Sequence, residues 1–250
     1  MKKRYVVLIC SWLLCVAPVV SGESLQRKDL ERGYPVVWEA PMKEKLIAIT
    51  FDDGPDPIFS SQVLDVLKEH QAKATFFVVG EYAKMHPEII KREIADGHEV
   101  GNHTFTHIDI LKVSTSKLKK EIEKTERIIY REGEPELKLF RPPLGNISWP
   151  LVKMMEEKNY KVVLWSWHQD TRDWAGRGAG SMATQVLTNL RNGDIILFHD
   201  AGGDRTPTVQ ALKMILPKLK ERGYKCVTVS ELLKSHPTYK KWFFEPPFGN

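Results

Sequence analysis

From residue 45 onward, short apolar runs alternate with amphipathic ones, and this alternation restricts the fold more than any other feature of the chain. KLIAIT is followed by SSQVLDVLKEHQ, in which Val63, Leu64, Val66 and Leu67 share one helical face. ATFFVVG is followed by PEIIKREIADG, with Pro87 suited to a first helical turn and Gly97 to the stop. HEVGNH precedes a charged helix from about Ser114 to Arg131. LKLF, KVVLWSW, DIILF and KCVTV supply further strands, with helices near 149–158, 181–191, 207–222 and 230–234. Strands connected in this way are parallel, buried on both faces and covered by helices. Seven or eight such units predict a closed or partly open α/β barrel. No G-x-G-x-x-G follows the first strand, which removes the usual mark of a dinucleotide fold.

The two ends of the chain differ from this middle. Lys2, Lys3 and Arg4 precede the apolar run YVVLICSWLLCVAPVV, and Val20, Ser21 and Gly22 offer small residues for cleavage. The run falls short of the roughly twenty residues that span a bilayer, so residues 1–22 are expected to be a secretory signal or an uncleaved anchor. Export would make the protein secreted or cell-envelope associated. Residues 23–43 are expected to be a lead-in, 44–234 the folded domain, and 235–250 a tail with Trp242, Phe243 and Phe244.

Three of the 37 basic residues and none of the 32 acidic ones lie in the first 22 positions, leaving a nearly balanced mature chain. Nothing in that balance points to nucleic acid as a partner. The stretch KLKKEIEKTERIIYR mixes both signs and reads as a solvated face. Two of the three cysteines lie in the leader, so Cys226 stands alone and the core must hold the domain together.

Reactive side chains gather at the C-terminal ends of the expected strands, the face that carries chemistry in α/β barrels. Asp52 and Asp53 follow KLIAIT, in the turn sequence ITFDDGPDP, which on its own also reads as an ordinary acidic turn. His103 and His107 follow HEVG, Arg141 follows LKLF, Asp170 and Asp173 follow VVLWSW, and His199 and Asp200 follow DIILF. Asp53, His103 and His107 form a two-histidine, one-carboxylate set, used by Zn²⁺ hydrolases and by non-haem Fe(II) oxygenases alike. A hydrolase also needs a base and an acid, and Asp52 and His199 are placed for those tasks.

Five motifs then appear in order: TFDDGP at Thr50–Pro55, His103 to His107 as H-T-x-x-H, Arg141-x-Pro143-x-Gly145, Asp170-x-x-Asp173-Trp174, and Ile195-x-Leu197-x-His199. Through them the chain from about 44 to 234 resembles the NodB-homology domain of polysaccharide deacetylases, the family 4 carbohydrate esterases. The resemblance implies a distorted, partly open (β/α)7-8 barrel. It implies a divalent metal on Asp53, His103 and His107, zinc first, with cobalt, nickel or manganese as alternatives. It further implies Asp52 as base held by Arg141, His199 as acid oriented by Asp173, and the Leu144 N–H as an oxyanion donor. Trp174 and Leu197 are expected to wall the acetyl pocket. Two positions depart from the family pattern: Leu144 stands where an aromatic is common, and Ile195 opens the last motif.

The expected activity is N-deacetylation of N-acetylglucosamine-type units in peptidoglycan or chitin-like oligosaccharides, by a monomer with no obligate protein partner. The other readings are hydrolysis of a non-sugar amide on the same fold, a non-catalytic carbohydrate-binding protein, and an oxygenase on the same triad. Trp165 and Trp167 are expected in barrel packing, His168 at a groove edge, and Arg172, Arg177 and Arg205 on loops at the reactive face.

Overall fold

The computed structural model describes residues 26–133 and 135–244; the expected leader and the last six residues lie outside them. Strands β1 (Val36–Val37), β2 (Leu46–Asp52), β3 (Ala74–Val78), β4 (Glu99–Asn102), β5 (Lys138–Phe140), β6 (Tyr160–Val163), β7 (Ile195–His199) and β8 (Lys225–Val227) form one sheet. The order is β1-β6-β5-β4-β3-β2-β7, with β8 also pairing β2, and every pair is parallel. Helices α1 (Arg27–Gly33), α2 (Phe59–Glu69), α3 (Gly80–Met85), α4 (Pro87–Ala95), α5 (Thr115–Ile129), α6 (Trp149–Glu157), α7 (Ala179–Asn189), α8 (Thr206–Glu221) and α9 (Val229–Ser235) fill the crossovers and ends. The sheet curls into the partly open barrel that the strand–helix alternation requires.

Period-two alternation divides each strand between two environments. On β2, Ile47, Ile49 and Phe51 point outward into a core shared with Val63, Leu64 and Leu67 of α2 and with Val209, Leu212, Ile215 and Leu216 of α8. Ala48, Thr50 and Asp52 point the other way, into the barrel. A second outer core packs α5 and α6 against β5 and β6.

The expected lead-in is part of the sheet, because Val36 and Val37 pair with Val162 and Val163. Two residues are too few to display alternation, so this strand left no periodic trace in the sequence. Its continuation meets the far edge of the sheet: Ala40 N–H donates to the Gly193 carbonyl at 2.9 Å, just before β7. After β6, Ser166 N–H donates to Ile195 O at 3.0 Å and Asp170 bridges Leu197. Loops therefore close the seam that β1 and β7 leave unpaired.

The bottom of the barrel is plugged. Val37, Ala48, Phe77, Leu139, Val163 and Ile195 pack with Val229, Leu232 and Leu233 of α9. The tail adds Tyr239, with Trp242 and Phe243 against the same cluster. A capping box on Thr228 and Glu231 starts α9. Glu99, the first residue of β4, accepts from Thr75 Oγ1 at 3.0 Å and from Ser230, tying α9 to the strands. Leu232 is completely buried in this plug, so Leu232→Ala is expected to cost about 2–5 kcal/mol, read as the change in urea unfolding free energy. A loss near zero would show that α9 does not stopper the barrel.

Candidate active site

The upper end of the barrel interior is built from β2, β4, β5 and β7. Asp52 is the last residue of β2, and its register partner on β7 is His199. Arg141 follows β5 and is fully buried. Its Nη1 donates to Asp52 Oδ1 and Thr50 Oγ1, both at 2.8 Å, while Nε and Nη2 reach the carbonyls of Val163 and Leu164 at 3.0 and 2.9 Å. The guanidinium also lies 4.1 Å over the Phe77 ring. Burial raises the Asp52 pKa above the ordinary carboxylate value, and Arg141 followed by His199 pulls against that rise. The outcome is a base stronger than a free aspartate, with Arg141 holding its orientation.

Asp53 turns away from Asp52 because its backbone is left-handed, with φ of 75°. A non-glycine residue rarely adopts this conformation, and such outliers cluster at functional sites. His107 is also left-handed, at φ 53°. Gly54 comes next in the chain, where a Cβ would run into the Asp200 carboxylate. Asp56 Oδ1 then accepts from the N–H groups of Ile58 and Phe59 at 2.8 Å, starting α2. The acidic turn is therefore real, and its three carboxylates face three different environments.

Asp53 Oδ1 lies 3.2 Å from His107 Nε2 and 3.6 Å from His103 Nε2. His103 Nδ1–H donates to the Arg141 carbonyl at 2.7 Å, which fixes the tautomer and leaves the Nε2 lone pair facing Asp53. Burial pushes the His103 pKa down to about 3, so the ring is neutral. Asp53 Oδ1 is buried without a hydrogen-bond partner. An orphaned carboxylate oxygen facing two imidazole nitrogens fits a divalent cation, and the three donor atoms lie within 4.8 Å of one another.

His199 Nδ1 donates to Asp173 Oδ1 at 2.6 Å, and its backbone N–H donates to Asp173 Oδ2 at 2.8 Å. Thr208 Oγ1–H adds a third bond to Asp173 at 2.8 Å. Burial alone would lower the His199 pKa, but the Asp173 carboxylate outweighs it and the value is raised. Asp173 is itself lowered, its burial outweighed by His199. Leu144 has φ of 61° and projects its side chain outward, 67% exposed. No acceptor among the described residues takes its N–H. Leu197 is buried on β7, and Trp174 is 60% exposed beside Asp173.

The structure thus brings the expected residues to one face, and it also revises several neighbours. Trp165 packs in the core, whereas Trp167 is 70% exposed. His168 is largely buried, and it borders an open groove together with Trp167, Asp170 and Arg172, as expected. Arg205 turns inward to the carbonyls of Ala201, Gly202 and Asp173, and Arg177 to Thr171 O and Gln185. Two supporting residues had no role assigned from the sequence, although Asp200 was already placed at a strand end. Glu121 of α5, in the stretch read as a solvated face, is buried and accepts from the Phe105 and Thr106 N–H groups at 3.1 and 2.8 Å, bracing the histidine loop. Asp200 is buried beside Asp53, bonded to Ser60, and its pKa is pushed up to about 7 by burial.

The sequence profile of the family described as Polysaccharide deacetylase matches residues 39–163. A peptidoglycan-N-acetylglucosamine deacetylase of Bacillus cereus is 48% identical, over 84% of this chain and 98% of that protein. A chitooligosaccharide deacetylase of Sinorhizobium fredii is 39% identical, over 71% of this chain and 87% of that protein. The crystal structure of the Bc1960 peptidoglycan N-acetylglucosamine deacetylase superposes with a TM-score of 0.79 at 37% identity, covering 83% of this chain and 97% of that one.

The raised His199 pKa generates a test. Its contribution to stability is fully present below the unfolded value of about 6.5 and is lost as pH rises through the folded value. In Asp173→Asn burial remains but the opposing charge is gone, so the His199 midpoint should fall below that of the parent chain in NMR titrations of the ring protons. An unchanged midpoint would show that Asp173 does not set it.

Proposed function

The chain belongs to the polysaccharide deacetylase family, and from that premise we propose that it is a metal-dependent peptidoglycan N-acetylglucosamine deacetylase acting outside the cytoplasm. The observation that carries the reading is the placement of Asp52 and His199 opposite each other on β2 and β7, beside the Asp53, His103 and His107 donor set. The high identity to a peptidoglycan deacetylase over nearly that protein's whole length supports the substrate class.

Asp53, His103 and His107 would hold the ion. When bound there, a divalent cation, zinc first by its fit to nitrogen and oxygen donors, supplies Lewis acidity that polarises the acyl carbonyl and acidifies water. Asp52 takes the proton of the attacking water, its basicity raised by burial and its orientation fixed by Arg141. The Leu144 N–H donates to the carbonyl oxygen as that oxygen gains charge. His199 Nε2 gives a proton to the departing amine nitrogen, because Nδ1 is engaged by Asp173. Trp174 and Leu197 border the space for the methyl group. Water and the N-acetyl amide become acetate and a free sugar amine.

Purified protein incubated with cell-wall fragments is expected to release acetate, with muropeptide mass spectrometry locating each lost acetyl group on N-acetylglucosamine. Asp52→Asn should lower kcat by roughly 10²–10⁴-fold, and chelation should abolish release until zinc is restored. Undiminished turnover by Asp52→Asn would overturn the role of Asp52 as base. Neutral chito-oligomers cleaved in preference to wall fragments would move the substrate to the chitin-like class.

Export is supported by the basic triplet and apolar run at residues 2–20; among the described residues no helix is long and apolar enough to cross a membrane. Fractionation of cells expressing the full chain should place it in the envelope or medium. Retention in the cytoplasm would refute that placement.

A further inference from the structure

A second group of metal-ligating side chains lies away from the site just described, at the seam between β1 and β7. Glu39 follows β1, His168 sits in the turn after β6, and Asp194 immediately precedes β7. One donor atom from each falls within 4.8 Å of the others. We propose that Glu39, His168 and Asp194 bind a divalent cation that ties together the three segments at the barrel seam.

His168 is the decisive residue. Its side chain is only 5% exposed, and neither ring nitrogen makes a hydrogen bond. Nε2 stands 3.0 Å from Asp194 Oδ1 without the alignment of an N–H donor. That spacing is close to the 3.2 Å between His107 Nε2 and Asp53 Oδ1 in the first donor set. A buried imidazole without partners costs free energy unless something engages it.

The two carboxylates are held for the task. Asp194 Oδ2 accepts from Gln169 Nε2 at 3.0 Å and from Arg191 N–H at 2.8 Å, which directs Oδ1 toward His168. Glu39 Oε1 accepts from Arg27 Nη2 at 2.7 Å, which anchors the carboxylate beside the group. Outer partners of this kind orient metal ligands. Arg27 is shared between Glu39 and Glu31, so it only partly offsets the two negative charges of the group. A His168–Asp194 ion pair is the competing account; it calls for a protonated ring aimed at the carboxylate, which the geometry lacks. One imidazole and two carboxylates suit Zn²⁺ among the common cations, with further positions completed by water.

The seam gives such an ion a structural role. Backbone bonds across it are sparse compared with a strand pair: Ala40 to Gly193 on one side, and Ser166 to Ile195 with the isolated Asp170–Leu197 bridge on the other. An ion joining all three segments would supply cross-links that no strand pairing provides there.

Zinc content of the full chain, measured by elemental analysis after equilibration with buffered free zinc, tests the proposal. The parent is expected to carry one equivalent more than His168→Gln or Glu39→Gln, with unchanged circular dichroism. The same extra equivalent should persist in Asp53→Asn/His107→Gln, where the first donor set is disabled, and there added zinc should still raise Tm. Equal zinc content in the parent and in Glu39→Gln, whose carboxylate is partly exposed and so readily replaced, would overturn it. Loss of zinc-dependent stabilisation in Asp53→Asn/His107→Gln would also overturn it. Both outcomes are independent of whether the protein deacetylates any polymer.

Discussion

Arg141 carries a permanent charge inside the barrel, where isolated charges are costly by several kcal/mol. Its position is acceptable because the surrounding acceptors are assembled around it: Asp52 and Thr50 from β2, and the carbonyls of Val163 and Leu164 at the end of β6. Thr50 passes the connection on by donating to Ile196 O of β7 at 2.7 Å. The Arg141 carbonyl in turn fixes the tautomer of His103. One buried cation thus aligns three strands, orients the base and aims a ligand. Its removal would leave Asp52 desolvated and uncompensated, so the arrangement must be kept or lost as a unit.

Around that anchor the polar groups fall into two pairs with different balances. Asp52 with Arg141 has burial as its largest influence, and its proton affinity rises. Asp173 with His199 has the carboxylate as the better-satisfied partner, accepting three hydrogen bonds, and the imidazole gains proton affinity. Groups that differ in this way on adjoining strands can take and give a proton at the same pH.

Much of this was legible in the sequence because it depends on order along the chain. Parallel strands put their C-terminal ends on one side, so Asp52, His103, Arg141 and His199 had to converge once the alternation was recognised. What escaped is what depends on backbone sign, on depth or on very short elements. The left-handed turns at Asp53, His107 and Leu144 carry no composition that sets them apart from neighbouring polar or apolar residues. Glu121 looked like any other glutamate on a charged helix, yet it is the one turned toward the histidine loop. Trp165 and Trp167 are two residues apart on the same nominal face, but the strand ends at Val163 and the alternation that would equate them has already stopped. The pair Val36–Val37 is too short for any periodic signal.

The α9 plug has a kinetic meaning. With Leu232, Leu233 and Tyr239 stoppering the lower end and Phe77, Leu139 and Val163 filling the interior above them, the barrel is a cul-de-sac rather than a conduit. Whatever acid is split off must back out through the mouth by which the acyl group came in. Departure of one small product and arrival of the next acyl group therefore share one side of the barrel, and traffic on that side becomes part of the turnover cycle.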